Sequence, residues 1–145
     1  MKPTKIFNIK EANLLIPELK SSVDQYRVKY DSYLEIRSEL MALTNSDPEH
    51  RPNQFSVDFD KIEEFKYKKS LLNILEKQLH MIVQDLESLD VVIQDPYKGL
   101  IDFLTRREEE HVFLCWSYGE TEISNWHRIP DGFAGRHRIK NGDFN

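Results

Sequence analysis

Between Asp102 and Arg136 the chain gathers the side-chain types that perform chemistry: carboxylates at Asp102 and Glu120, a thiol at Cys115, an imidazole at His127 and a guanidinium at Arg136. The two indoles of the protein, Trp116 and Trp126, are interleaved with them. Cys115, Glu120 and His127 are each able to ligate a divalent metal, and a thiolate with an imidazole suits zinc. Their spacing matches no C-x-x-C or H-E-x-x-H pattern that would bring ligands together by local geometry. The simpler reading of Cys115, beside Phe113 and Leu114, is a small buried hydrophobe. His127 reads as an imidazole satisfied by a backbone carbonyl or by Asp102 or Glu120, with a general base or ligand as the alternative. Trp116 and Trp126 fill a core in the plain reading and form a ligand cage in the other. Arg136, beside the turn-forming Gly132 and Gly135, either receives an anion or anchors the tail to an acid. Charged groups buried unpaired among aromatic residues would each cost several kcal/mol, so Asp102, Glu120, His127 and Arg136 are expected to form one polar network. The candidate binding set is therefore Asp102, Trp116, Glu120, Trp126, His127 and Arg136. Ser117 and Ser124 have no nucleophile-elbow context and the glycines make no phosphate loop, so no catalytic residue and no cofactor follow.

The elements that must position these residues are legible from periodicity. Asn8 followed three positions later by Glu11 reads as a capping box, with Phe7 and Ala12 as its hydrophobic staple. Leu19, Val23, Tyr26, Tyr30, Tyr33 and Leu40 then recur at spacings of three and four. This predicts a first helix over residues 9–44, with a kink or a short opening helix at Pro17. A polar stretch from Asn45 to Ser56, with Pro48 and Pro52, reads as a surface connection. Ile62, Phe65, Leu72, Leu75, Leu79, Ile82 and Leu86 predict a second helix over residues 58–90. Beyond Asp90 the period changes to that of a β-rich unit over residues 91–140. Leu100 to Leu104 and His111 to Trp116 form a hairpin buried on both faces. Its connection, Arg106 to Glu110, lacks the glycine or asparagine of tight turns, which predicts a longer or bulged loop. The fold class expected is α+β, mainly α: a long antiparallel two-helix hairpin, coiled-coil-like, carrying a small C-terminal β-hairpin or sheet unit within a single domain of residues 1–145.

Composition narrows the function classes. With 145 residues, 39% apolar and 31% charged, the chain is sized to bury a core and is too hydrophobic for disorder. No apolar run approaches the roughly 20 residues that span a bilayer, and the N-terminus carries no secretory h-region. One cysteine permits no internal disulfide, and the expected location is the cytoplasm. A net charge of −5 opposes phosphate attraction and argues against nucleic acid, although Arg128, Arg136, His137, Arg138 and Lys140 form a local basic cluster.

The segments GLIDF from Gly99, LCWSYGE from Leu114, ISNWH from Ile123 and GFAGR from Gly132, together with FNIKEANLLIPEL from Phe7, give the chain a recognisable signature. In these it resembles the bacterial family catalogued as domain of unknown function 2203 (DUF2203). The resemblance covers both ends of the chain and implies its fold, but no activity, catalytic residue or cofactor. The reading of function that follows is a non-enzymatic interaction or scaffolding protein. The helical hairpin forms a homodimer by covering its surplus apolar residues in a four-helix bundle, and the C-terminal unit recognises a partner or ligand. The alternative is a metal- or anion-dependent enzyme, or a small-ligand binder, using Asp102, Glu120, His127 and Arg136.

Overall fold

The computed structural model describes residues 3–45 and 59–144. The polar connection read between Asn45 and Ser56 lies, beyond Asn45 itself, outside the described residues. Two long helices, α1 (Ile9–Asn45) and α2 (Phe59–Glu87), pack against each other and precede five strands. The strands are β1 (Val92–Asp95), β2 (Leu100–Arg107), β3 (Glu110–Ser117), β4 (Asn125–Arg128) and β5 (His137–Arg138), joined as an antiparallel meander in chain order. None of the described helices is long and apolar enough to cross a membrane.

The start of α1 is fixed as its sequence dictates. Asn8 Oδ1 accepts from the Glu11 amide at 2.7 Å, and Glu11 Oε1 accepts from the Asn8 amide at 3.2 Å, a reciprocal capping box. Phe7 and Ala12 are both buried in one cluster, as a staple requires. The helix runs on through Pro17 instead of closing as a short opening segment. Ile16 and Leu19 on either side of the proline are buried in the core, and that packing outweighs the one backbone bond proline removes.

The described residues group into two compact units, residues 3–27 with 81–144 and residues 28–80. In the first, alternation along the strands sorts side chains onto two faces. Ile101 and Phe103 of β2, Val112, Leu114 and Trp116 of β3, and Trp126 of β4 join one core with Phe7, Ala12, Ile16, Leu19 and Val23 from the N-terminal part and Ile82 and Leu86 of α2. Phe7 meets Phe103 edge to face at 5.1 Å, its amide donates to the Leu104 carbonyl at 2.8 Å, and its own carbonyl accepts from the Thr105 hydroxyl at 2.6 Å. Asp102, Leu104, Phe113, Cys115 and His127 take the intervening positions and so point to the opposite face. In the second unit the helices are laced by polar contacts: Lys29 to Gln78 at 2.9 Å, Tyr33 to Glu76 at 3.3 Å and Lys68 to Glu39 at 3.0 Å.

The hairpin of β2 and β3 departs from the expected long or bulged loop. The ladder continues to the pair Arg107 and Glu110, leaving only Glu108 and Glu109 between the strands. Glu108 adopts a left-handed conformation, φ 55°, so the tight turn is closed without glycine because eight residues of paired strand on each side impose the register. Two short strands, β4 and β5, extend the sheet beyond the hairpin.

Candidate functional site

Three neighbouring strands, β2, β3 and β4, each bring a polar side chain to the sheet's far face. Asp102 on β2 stands directly opposite Cys115 on β3, and His127 on β4 is the diagonal neighbour of Cys115, since Cys115 pairs with Asn125 and Phe113 with His127. One ligand atom from each of Asp102, Cys115 and His127 falls within 4.8 Å of the others. All three residues are sealed, with exposures of 1%, 2% and 1%.

The imidazole is oriented at both nitrogens. His127 Nδ1 lies 2.7 Å from the Arg128 carbonyl, which fixes a proton on that nitrogen, and Nε2 lies 3.0 Å from Asp102 Oδ2. Burial by itself would lower the affinity of His127 for its second proton. The Asp102 hydrogen bond, the Arg128 carbonyl and the negative charges of Asp102 and Asp131 outweigh that, and its pKa is held above the usual imidazole value. When His127 carries both ring protons, its hydrogen bond to Asp102 is charge-assisted. Gln94 also donates to Asp102 Oδ2, at 2.9 Å, from the bulge between Ile93 and Asp95 in β1. Burial, and then the charge of Asp102, push the Cys115 thiol up to about 12, so it is a neutral thiol in the absence of a cation.

Glu120 and Arg136 form a second pair. Arg136 Nη2 donates to both Glu120 carboxylate oxygens, at 2.7 and 2.8 Å, and reaches the Cys115 carbonyl at 3.4 Å. The Ser117 amide donates to Glu120 Oε1 at 2.7 Å and the Asn125 amide group reaches Oε2 at 3.5 Å. The loop that delivers Arg136 depends on two glycines. Gly132 has φ 64°, and a Cβ on Gly135 would stand 2.5 Å from the Cβ of Asp131. Arg136 then lies over the Phe133 ring at 4.7 Å.

The four groups expected to form one network are thus arranged as two pairs that meet at Cys115, whose thiol lies against Asp102 and whose carbonyl faces Arg136. Glu120, read as a metal ligand with Cys115 and His127, is engaged by Arg136, and Asp102 takes the third place beside them. The tryptophans are not in this cluster. Trp116 is in the core on the helix-facing side, donating its N–H to the Glu120 carbonyl at 2.9 Å. Trp126 on the same side packs on His137 at 4.8 Å and under Arg107 at 4.4 Å. Gln94 and Asn125 were not singled out by sequence. Gln94 reaches Asp102 only because a strand irregularity re-aims it, and Asn125 only because β4 pairs in this register. The basic cluster is partly spent on acids, Arg128 on Glu110 at 3.4 Å and Arg136 on Glu120. A hollow of about 530 Å³ lined by Phe7, Asn8, Thr105, Arg106 and Phe144 includes none of the polar cluster.

The model of a family of uncharacterized conserved proteins, DUF2203, matches residues 5–139, and the chain belongs to that family. No curated protein and no solved structure matches it.

Proposed function

Membership of an uncharacterised family brings no activity with it, and we propose that the chain is a non-enzymatic interaction protein whose helical hairpin associates with a second copy of itself. One observation carries this reading. Among the described residues of the unit 28–80, only Leu72 and Leu79 are buried, whereas Val28, Leu34, Met41, Phe59, Tyr67 and Ile74 are 42% to 74% exposed. Two helices alone cover only the seam between them, and burying a large apolar side chain is worth about 1.5–3 kcal/mol. Tyr67, Leu71 and Ile74 follow at four and three along α2, while Leu34 and Met41 are seven apart on α1, so both helices carry an apolar edge. A two-fold association places these edges against their own copies and completes a four-helix bundle. The sealing of Asp102 and His127, and the mutual engagement of Glu120 and Arg136, support a non-enzymatic role over catalysis, because substrate would have to reach them.

Light scattering at micromolar concentration tests the association. The expected mass is twice the chain's 17.2 kDa. A combined Leu34→Glu and Ile74→Glu variant should run as a monomer with its tryptophan fluorescence unchanged. A wild-type mass of 17.2 kDa refutes the reading.

A further inference from the structure

We propose that Asp102, Cys115 and His127, with Gln94 completing the set, bind one zinc-type divalent cation that ties four consecutive strands together. Asp102, Cys115 and His127 are all buried on one face of the sheet. Each is a metal-ligating type, a carboxylate, a sulfur and an imidazole, and one ligand atom from each lies within 4.8 Å of the others. Ligands around a tetrahedral zinc are about 3.3–3.8 Å apart, given bonds of about 2.0–2.3 Å, so an adjustment of about 1 Å or less lets all three share one ion. The set is soft enough to exclude magnesium and calcium, which take oxygen ligands.

The surroundings are those of a ligating histidine. Its outer nitrogen is tied to a backbone carbonyl, Arg128 O at 2.7 Å, which leaves Nε2 as the inward donor. Asp102, Cys115 and His127 are 1% to 2% exposed, so their polar atoms face one another and not bulk solvent. Cys115 and His127 ligate a cation as thiolate and neutral imidazole, so uptake of the ion releases protons.

The placement across the sheet gives the ion its role. Gln94 belongs to β1, Asp102 to β2, Cys115 to β3 and His127 to β4, so each ligand comes from a different strand. Gln94 already bonds Asp102 Oδ2 at 2.9 Å, and a half-turn of its amide puts an oxygen beside that carboxylate in place of the nitrogen. With four protein ligands the site is structural and has no open position for substrate.

The experiment uses the full chain, purified without chelator and weighed intact by native mass spectrometry, then stripped and titrated with cobalt(II) alone. The expected result is about one metal per chain. Cobalt should give a thiolate-to-metal charge-transfer band and the intense visible bands of tetrahedral coordination, both bleached by added zinc. Cys115→Ser should remove the charge-transfer band, and Glu120→Gln should retain it, since Glu120 is outside the set. A wild-type chain that carries only its metal-free mass and binds neither zinc nor cobalt overturns the proposal. So does uptake that survives Cys115→Ser with its spectrum intact, or that is lost in Glu120→Gln.

Discussion

The buried pair of Asp102 and His127 makes a quantitative prediction about the metal-free protein. Replacing either partner alone with leucine leaves the other inside the sheet's far face without its charge-assisted bond of 3.0 Å. Removing one member of a buried pair costs about 3–5 kcal/mol, a large part of the roughly 5–15 kcal/mol that holds a domain folded. Independent contributions would sum to roughly 6–10 kcal/mol in the double variant. The expectation is different. With both groups gone no uncompensated charge remains, two leucines refill the space beside Leu104 and Phe113, and Gln94 turns to solvent. The Asp102→Leu and His127→Leu double variant should therefore cost no more than either single change. The assay is urea unfolding in the presence of chelator, followed by tryptophan fluorescence, since Trp116 and Trp126 both report on the sheet. A double variant whose loss equals the sum of the singles would show that the two groups act independently, and the account of the pair would be wrong.

Arg136→Ala removes the donor to both Glu120 oxygens and should destabilise the sheet unit by about 1.5–3 kcal/mol, with red-shifted tryptophan emission and retained helical circular dichroism; an unchanged melting temperature counts against it. Glu108→Gly relieves a left-handed residue in the tight turn and should raise stability by about 1 kcal/mol in a denaturant melt, whereas a loss would mean the Glu108 side chain has a role of its own. Asp90 is held below the ordinary carboxylate range by the Lys5 amide and then the Thr4 amide. That tie is fully present above the ordinary value of 3.8 and is lost as pH falls through the lower folded value. The Thr4 and Lys5 amide resonances should shift together in acid, and a midpoint at or above the ordinary value would contradict this. Cys115, buried and with its thiol pushed up to about 12, should react with a thiol reagent only when the sheet unfolds; prompt reaction in native buffer refutes its burial.

The helices were legible because their signals are local and redundant. Asn8 and Glu11 mark the start of α1, and Leu72, Leu79, Ile82 and Leu86 hold a period that no strand could use. Pro17 does not close a short opening helix, because proline's cost is local while the burial of Ile16 and Leu19 that offsets it is tertiary. In the sheet, β2 and β3 are long enough to show a β-rich pattern, but β4 and β5 have four and two residues and carry no period. The site was legible as a set of residue types and not as a geometry. Which acid meets His127 depends on the register that brings β2, β3 and β4 together, and Asp102 and Glu120 are chemically equivalent in a one-dimensional reading. The tryptophans were grouped with the site because they are near it in sequence, yet alternation along β3 and β4 sends Trp116 and Trp126 to the other face.

The seating of Phe7, Ile16, Leu19 and Val23 against Ile101, Phe103, Leu114 and Trp116 also sets a timetable. A ribosome adds about 5–20 residues per second, so this face of α1 waits roughly 5–20 s for the strands that cover it. Throughout that interval the stripe has only Ile82 and Leu86 of α2 to meet, and its strand-facing side stays uncovered. The strands thus decide the fate of a helix made before them, and a product stalled ahead of β2 would present a sticky amphipathic helix to chaperones and proteases.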